Sequence, residues 1–244
     1  MKTVFINGSP KKKISASSYL SAMQRLFVKG EKVTKQLRNK NDYESIFEEL
    51  KDADAIVLSL PLYVDGLPSH VLAFLEEAEM FFRENDLHPN LYCIANNGFI
   101  EGRQNEPLMQ VLENFCFRAG INWRGGIGIG GGVMLNVTRF VFLVQTAVYI
   151  IMLIITGFQT GNYFHEGVIS AFLQNVGVLL FFNAGVIFFF IRMGIAINRR
   201  GKDFGKHYTR ILIPSFIFIP FANLFFLIYS LFKGGLFRGW LAKK

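Results

Sequence analysis

The chain has 244 residues, 51% of them hydrophobic, and a formal net charge of +8. That length allows one or two domains, and the charge is unevenly placed: residues 1–135 hold 15 Lys and Arg against 16 Asp and Glu, whereas residues 136–244 hold 11 against 2. Because the excess positive charge flanks apolar runs and forms no stripe on a polar domain, a nucleic-acid partner is excluded, and two cysteines without CxxC spacing or histidine company exclude a zinc site or redox pair.

In chain order, Val4 to Ile6 is a short β-branched and aromatic strand stopped by Asn7-Gly8-Ser9-Pro10. No long apolar stretch of the signal-peptide kind stands at the start, so the first half is expected in the cytoplasm. A helix begins near Ser15 to Ser18, with Tyr19, Ala22, Met23, Leu26 and Phe27 at three- and four-residue spacing. A weak strand over 32–37 and a short helix over 43–50 precede the run 55–60, whose continuous apolar character suits a central parallel strand covered on both faces. After the loop 61–68 come a helix through 75–82, a strand over 91–95, the loop 96–102, a helix over 107–118 and a last strand with its exit over 125–132. Strands alternating with helices predict a doubly wound α/β fold with a parallel five-stranded sheet and ligands at the strands' carboxyl ends.

Three loops fall at those ends. The first, 7–18, joins strand to helix where backbone amides and the helix dipole favour an anion. Ser9, Ser15, Ser17 and Ser18 add hydroxyls, and Lys11 to Lys13 add charge. The bland reading is an N-capped helix with a solvated lysine run. The second loop offers Pro61, Leu62, Tyr63 and Val64, a rigid backbone with an aromatic ring suited to seating a flat ligand. The third offers Asn96, Asn97, Gly98 and Phe99, amide side chains beside a glycine that permits close backbone approach. His70, His88 and Glu101 read as ordinary surface, helix or loop residues. The glycines between Gly126 and Gly132 read as a strand exit, because no polar helix follows as a dinucleotide fingerprint requires.

With Gly8-Ser9-Pro10, Pro61-Leu62-Tyr63 and Asn97-Gly98-Phe99 in this order, residues 2–132 resemble the flavodoxin-like NAD(P)H-dependent FMN reductases and related quinone reductases. The resemblance implies that Ser9, Ser15, Ser17 and Ser18 hold the FMN phosphate. It also implies that Pro61, Leu62, Tyr63, Val64, Asn96, Asn97, Gly98 and Phe99 contact the isoalloxazine ring, with NAD(P)H as electron donor and a small molecule as acceptor. Such a site needs neither a metal nor a protein nucleophile, since the cofactor supplies the chemistry while the protein orients it.

Beyond residue 135 the chain departs from a soluble reductase. Uncharged runs over 140–158, 168–197 (Arg192 apart, near enough to a span end to snorkel) and 211–232 are expected to form about three transmembrane helices joined by basic loops. The positive-inside rule puts 159–167 outside and 198–210 inside with the first domain, while Pro214 and Pro220 permit a kinked or re-entrant third segment, and the side of the tail is not assigned. The Asn and Gln residues in these runs are expected to make helix–helix contacts. The expected organisation is thus an FMN-binding domain over 1–135 and a membrane region over 136–244. Diverting the last helix would leave one sheet face in need of a second subunit, in a homodimer or membrane complex. The functional expectation is a membrane-tethered oxidoreductase passing electrons from NAD(P)H through FMN to a quinone or other small acceptor. The alternative is a non-enzymatic electron carrier or interaction module anchored in the membrane.

Overall fold

The computed structural model describes residues 1–11, 15–63, 65–163 and 165–232. Five strands, β1 (Lys2–Asn7), β2 (Glu31–Gln36), β3 (Ala55–Pro61), β4 (Asn90–Asn96) and β5 (Asn122–Gly130), alternate with helices α1 (Ala16–Arg25), α2 (Tyr43–Leu50), α3 (Ser69–Glu84) and α4 (Glu106–Ala119). A sixth strand, β6 (Gly205–Arg210), completes an all-parallel sheet of order β2-β1-β3-β4-β5-β6. The first five strands have the flavodoxin-like order 2-1-3-4-5, with its switch point between β1 and β3.

Alternation along the strands sorts side chains onto two faces. Val4, Ile6, Ile56, Leu58, Leu91 and Cys93 pack under α2, α3 and α4, while Phe5, Val57, Tyr92, Ile94, Ile127 and Ile129 face the other way toward α1. The glycine run of β5 obeys the same rule. Ile127 and Ile129 enter the second core, and Gly126, Gly128 and Gly130 line the opposite face, where a short 3-10 turn (Gly102–Asn105) lies directly on the strand. A Cβ at Gly128 would stand 2.6 Å from the Gly102 carbonyl oxygen, so the glycines are there for close packing. The strand-exit reading holds; the packing purpose is added by the structure.

The expected five-stranded sheet is corrected to six, and the expected basic loop over 198–210 contains the extra strand. Its composition hid it: Gly-Lys-His-Tyr-Thr-Arg is polar because it is an edge strand with period-two partners. Lys206 pairs with Glu113 at 2.6 Å and Glu106 at 3.4 Å, and the Tyr208 hydroxyl bonds Glu106 on the same side. His207 faces the other way, stacked on Phe189 at 4.9 Å.

The expected single helix over 168–197 is likewise corrected. It is two helices, α6 (Glu166–Phe182) and α7 (Ala184–Asn198), bent by 67° at Asn183. The reason is a change of surroundings: in α7 the stripe Val186, Phe190, Met193, Ala196 and Ile197 is buried against the sheet, while Phe188, Ile191 and Ile195 are exposed. Polar bonds fix the docking. Gln24 donates to the Phe190 carbonyl at 3.2 Å, Asn198 bridges the Phe27 carbonyl and the Lys29 amide at 2.9 and 2.8 Å, and the Tyr92 hydroxyl donates to the Lys202 carbonyl. The second sheet face is therefore covered by α1 and α7 of the same chain, and the expected bare face does not exist. Arg192 lies on α7 with its guanidinium 5.9 Å above the Phe188 ring.

The remaining helices are apolar and outward-facing. α5 (Gly132–Thr160) has 29 residues, and its segment Thr138–Thr160 is, among the described residues, the one unbroken helix long and apolar enough to cross a membrane, with 6% of its most apolar window buried. Its 23 residues span roughly 34 Å, matching a hydrocarbon core of about 30 Å. α6 returns against α5, and α8 (Ser215–Phe232), with Pro220 inside it, stands beside α5 as well. Of the expected polar helix–helix contacts, Asn183 bonds within its own chain turn to the Leu179 carbonyl, and the Asn175 side-chain nitrogen is buried with no partner. Cys93 and Cys116 are free and buried, and burial pushes the Cys116 thiol up to about 12.

Candidate cofactor site

An open cavity of about 280 Å³ lies at the carboxyl ends of β1, β3 and β4, which is where a doubly wound sheet of this order receives its ligand. β1 ends in Asn7, whose side chain is held by Gln36 at 2.9 Å and accepts from the Ser9 amide at 3.1 Å, turning the chain toward α1. Ser15 caps α1: its hydroxyl accepts the Ser18 amide at 3.1 Å, and the Ser18 hydroxyl accepts the Ser15 amide at 2.9 Å. This capping box settles two of the orphan donors of the first turn. Ala16 and Ser17, in the first turn of α1, line the cavity wall with Ser9 and Lys11. One wall is thus a helix N-terminus with hydroxyls and a lysine, an arrangement that attracts a phosphate.

The opposite wall comes from the other two loops, which are tied together. The Leu62 amide donates to the Asn96 carbonyl at 2.8 Å, and Tyr63 and Gly66 exchange a pair of 3.0 Å backbone bonds that close a tight turn with Asp65 at φ 57°. Asn96 donates to the Ser17 hydroxyl at 2.9 Å and to the Leu60 carbonyl at 3.0 Å, so one buried side chain joins the α1 terminus to β3. Asn97 donates to the Glu101 carbonyl at 3.0 Å, while its own Oδ1 is buried without a hydrogen-bond partner. A buried, unpaired acceptor on a ligand cavity invites an N–H from the ligand.

The structure brings together Ser9, Ser15, Ser17, Pro61, Leu62, Tyr63, Asn96, Asn97 and Gly98 around this cavity. Ser18 and Phe99 are not on its wall: the Ser18 hydroxyl is spent on the cap, and Phe99 is 57% exposed. Val64, with Lys12 and Lys13, lies outside the described residues. Sequence reasoning missed Ala16 and Gly132. Gly132 opens α5, and a Cβ there would reach 2.8 Å from the Asn97 carbonyl and 3.1 Å from Asn96 Oδ1, so only glycine fits that approach. A glycine at the end of a strand exit was visible; its contact with the distant 96–97 loop was not. His70 also touches the site from behind, its Nε2 3.1 Å from the Gly8 carbonyl. His88 and Glu101 stand apart from the cavity wall, His88 between the Gly120 carbonyl and Asp86.

No protein-family model matches the sequence, and no curated protein matches it. Solved structures with a similar chain path include the Trp repressor binding protein from Bacillus subtilis, at 19% identity over 53% of this chain and 84% of that one, with a TM-score of 0.44. An NADPH-quinone reductase from P. pentosaceus aligns at 16% identity over 54% and 86%, TM-score 0.46. An NAD(P)H:quinone oxidoreductase from Methanothermobacter marburgensis aligns at 13% identity over 54% and 84%, TM-score 0.43.

Proposed function

We propose that this chain is a membrane-tethered flavoprotein oxidoreductase that binds FMN in the switch-point cavity and passes electrons from NAD(P)H to a quinone or similar small acceptor. The observation that supports this reading best is the pairing of unlike walls: helix-terminal amides, hydroxyls and Lys11 at one end, and the orphan Asn97 Oδ1 beside Pro61, Leu62 and Tyr63 at the other. A flavin mononucleotide has a phosphate for the first and a flat ring with an N–H donor for the second. Ser9, Ser15, Ala16, Ser17 and Lys11 would hold the phosphate; Tyr63, Asn97 and Gly98 would seat the ring. FMN bound there supplies the hydride-accepting and electron-passing chemistry. The chain's own work is binding and orientation. Asn96 locks the phosphate wall to the ring wall, and Leu62 and Gly132 fix the loop spacing through their backbone bonds to Asn96 and Asn97.

Tethering is read from α5, α6 and α8, whose apolar side chains point outward where a water-soluble chain would bury them. Their attachment at the carboxyl edge of the sheet supports a cavity lying close to the lipid in this reading. The positive-inside argument supports a cytoplasmic FMN domain.

The test is the visible absorption spectrum of protein purified in mild detergent, followed by FMN titration and NAD(P)H oxidation with a quinone. Bound oxidised flavin that bleaches with NAD(P)H and turns over with quinone is the expected result. A colourless protein that takes up no FMN refutes the cofactor assignment. Bound flavin without turnover refutes the enzyme and leaves an electron carrier.

A further inference from the structure

The apolar helices and the cofactor cavity share one end of the molecule. Gly132 lines the cavity and is also the first residue of α5. α6 comes back to this end at Phe182, whose carbonyl accepts the Leu212 amide at 2.9 Å, just before α8 departs. Between α5 and α6 runs a second, mostly apolar groove of about 220 Å³, reaching from Thr138 and Phe182 outward to Gln145 and Asn175. The Thr138 hydroxyl is already committed to the Met134 carbonyl at 2.9 Å. The Asn175 side-chain nitrogen is not committed: it is buried and has no hydrogen-bond partner. An amide donor left bare among hydrocarbon is unfavourable, and Gln145, the other amide on the groove wall, makes no bond to it in the structure.

We propose that this groove is a holding site for a lipid-soluble quinone, with a ring carbonyl accepting from the Asn175 amide and the tail lying along the apolar wall. This rests on the membrane-tethered reading above. Depth selects the occupant. Asn175 is near the middle of α6, and Gln145 is thirteen residues along α5 from Gly132, roughly 20 Å of helix. At that depth a phospholipid presents acyl chain, which carries no acceptor, because its ester and phosphate oxygens stay at the surface. A quinone carries its acceptor oxygens on an otherwise apolar body and can sit there. Thr138 is only six residues, roughly 9 Å along α5, from Gly132, so the groove's inner end lies toward the cofactor cavity. The groove itself performs no chemistry; it concentrates and aligns the acceptor.

The test is photolabelling of the full chain in phosphatidylcholine nanodiscs with a benzoquinone bearing a diazirine on its alkyl tail, with and without added FMN. Labelling is expected on α5 and α6, competed by decyl-benzoquinone. Asn175→Leu should lower it about tenfold, the loss of one such hydrogen bond, while Asn175→Gln retains it. Gln174→Leu, at the exposed neighbouring position, should leave it unchanged and controls for folding. Labelling elsewhere, labelling unchanged in Asn175→Leu, or equal labelling of the groove by a diazirine phosphatidylcholine would overturn the proposal. A protein that binds FMN with an unlabelled groove removes this inference alone. A labelled groove in a protein that takes up no flavin removes the reductase reading and keeps the quinone site.

Discussion

Replacing Phe190 by Ala separates a helix packed on the sheet from a helix that continues through lipid. Phe190 is fully buried in the core formed by α1, α7 and the sheet, and its backbone carbonyl holds Gln24. Truncating such a ring removes its transfer free energy and leaves a cavity, a cost of about 3–5 kcal/mol. For a chain of this size that lowers Tm by roughly 6–20 °C, at about 2–4 °C per kcal/mol. Phe188, two residues earlier, is 56% exposed, with its ring 5.2 Å from that of Phe189 and 5.9 Å from the Arg192 guanidinium, so Phe188→Ala should cost less than about 1 kcal/mol. Thermal unfolding of both variants in the same detergent reads the difference. Hydrogen exchange locates it, since the amides of α1 and β6, which pack against α7, should lose protection only in Phe190→Ala. Equal shifts in the two variants would mean that the two faces of α7 see one environment, and the packing described above would be wrong.

Asn96→Leu keeps the branching and number of side-chain heavy atoms but removes two buried bonds, leaving the Leu60 carbonyl without that donor; at roughly 1–3 kcal/mol for such a loss, a drop in Tm and weaker FMN uptake should appear together in the same titration series. A variant with unaltered FMN affinity would show that the Asn96 tie does not organise the phosphate wall. His88 is raised in pKa first by the Gly120 carbonyl and then by Asp86. Its contribution to stability is therefore full below the unfolded value of about 6.5 and fades as pH rises through the folded one. His88→Gln should lower Tm at about pH 5.5 and have little effect at about pH 9, as differential scanning fluorimetry would show; a deficit that does not change with pH would remove the charge argument.

The first five strands and their helices were legible because local and global signals agree there: apolar runs such as 55–60 end at Pro or Gly, and the helices keep three- and four-residue spacing. The site was legible for the same reason, since ligand loops in this topology follow strand ends, and the three chosen loops do meet. α7 was not legible. A stripe of Val, Phe, Met, Ala and Ile suits a sheet face as well as hydrocarbon, and the exposed Phe188 and Ile191 leave the helix apolar on both sides apart from Arg192 and its end at Asn198, so hydropathy cannot divide it. Nor was β6, where Lys206 and Arg210 carry the signature of a basic membrane-flanking loop, while the ion pairs of Lys206 and the strand's neighbours exist only after α4 and β5 are in place. Phe99, assigned with its loop to the ring, is 57% exposed and off the cavity wall.

The parallel pairing of β5 with β6 has a consequence for how the chain is made. Everything over residues 131–204 lies between two neighbouring strands, so during synthesis β5 is an open edge until the apolar hairpin has emerged and found its place. Closing so long a connection carries an entropic cost that grows only slowly with length, but it must be met before β6 can dock. Under the membrane-tethered reading proposed above, delivery of α5 and α6 to lipid would shorten the effective separation by returning the chain to Phe182, whose carbonyl holds the Leu212 amide just after β6. Insertion and completion of the sheet would then be successive stages of one assembly, and a chain that failed to insert would keep an unpaired strand edge available to its neighbours.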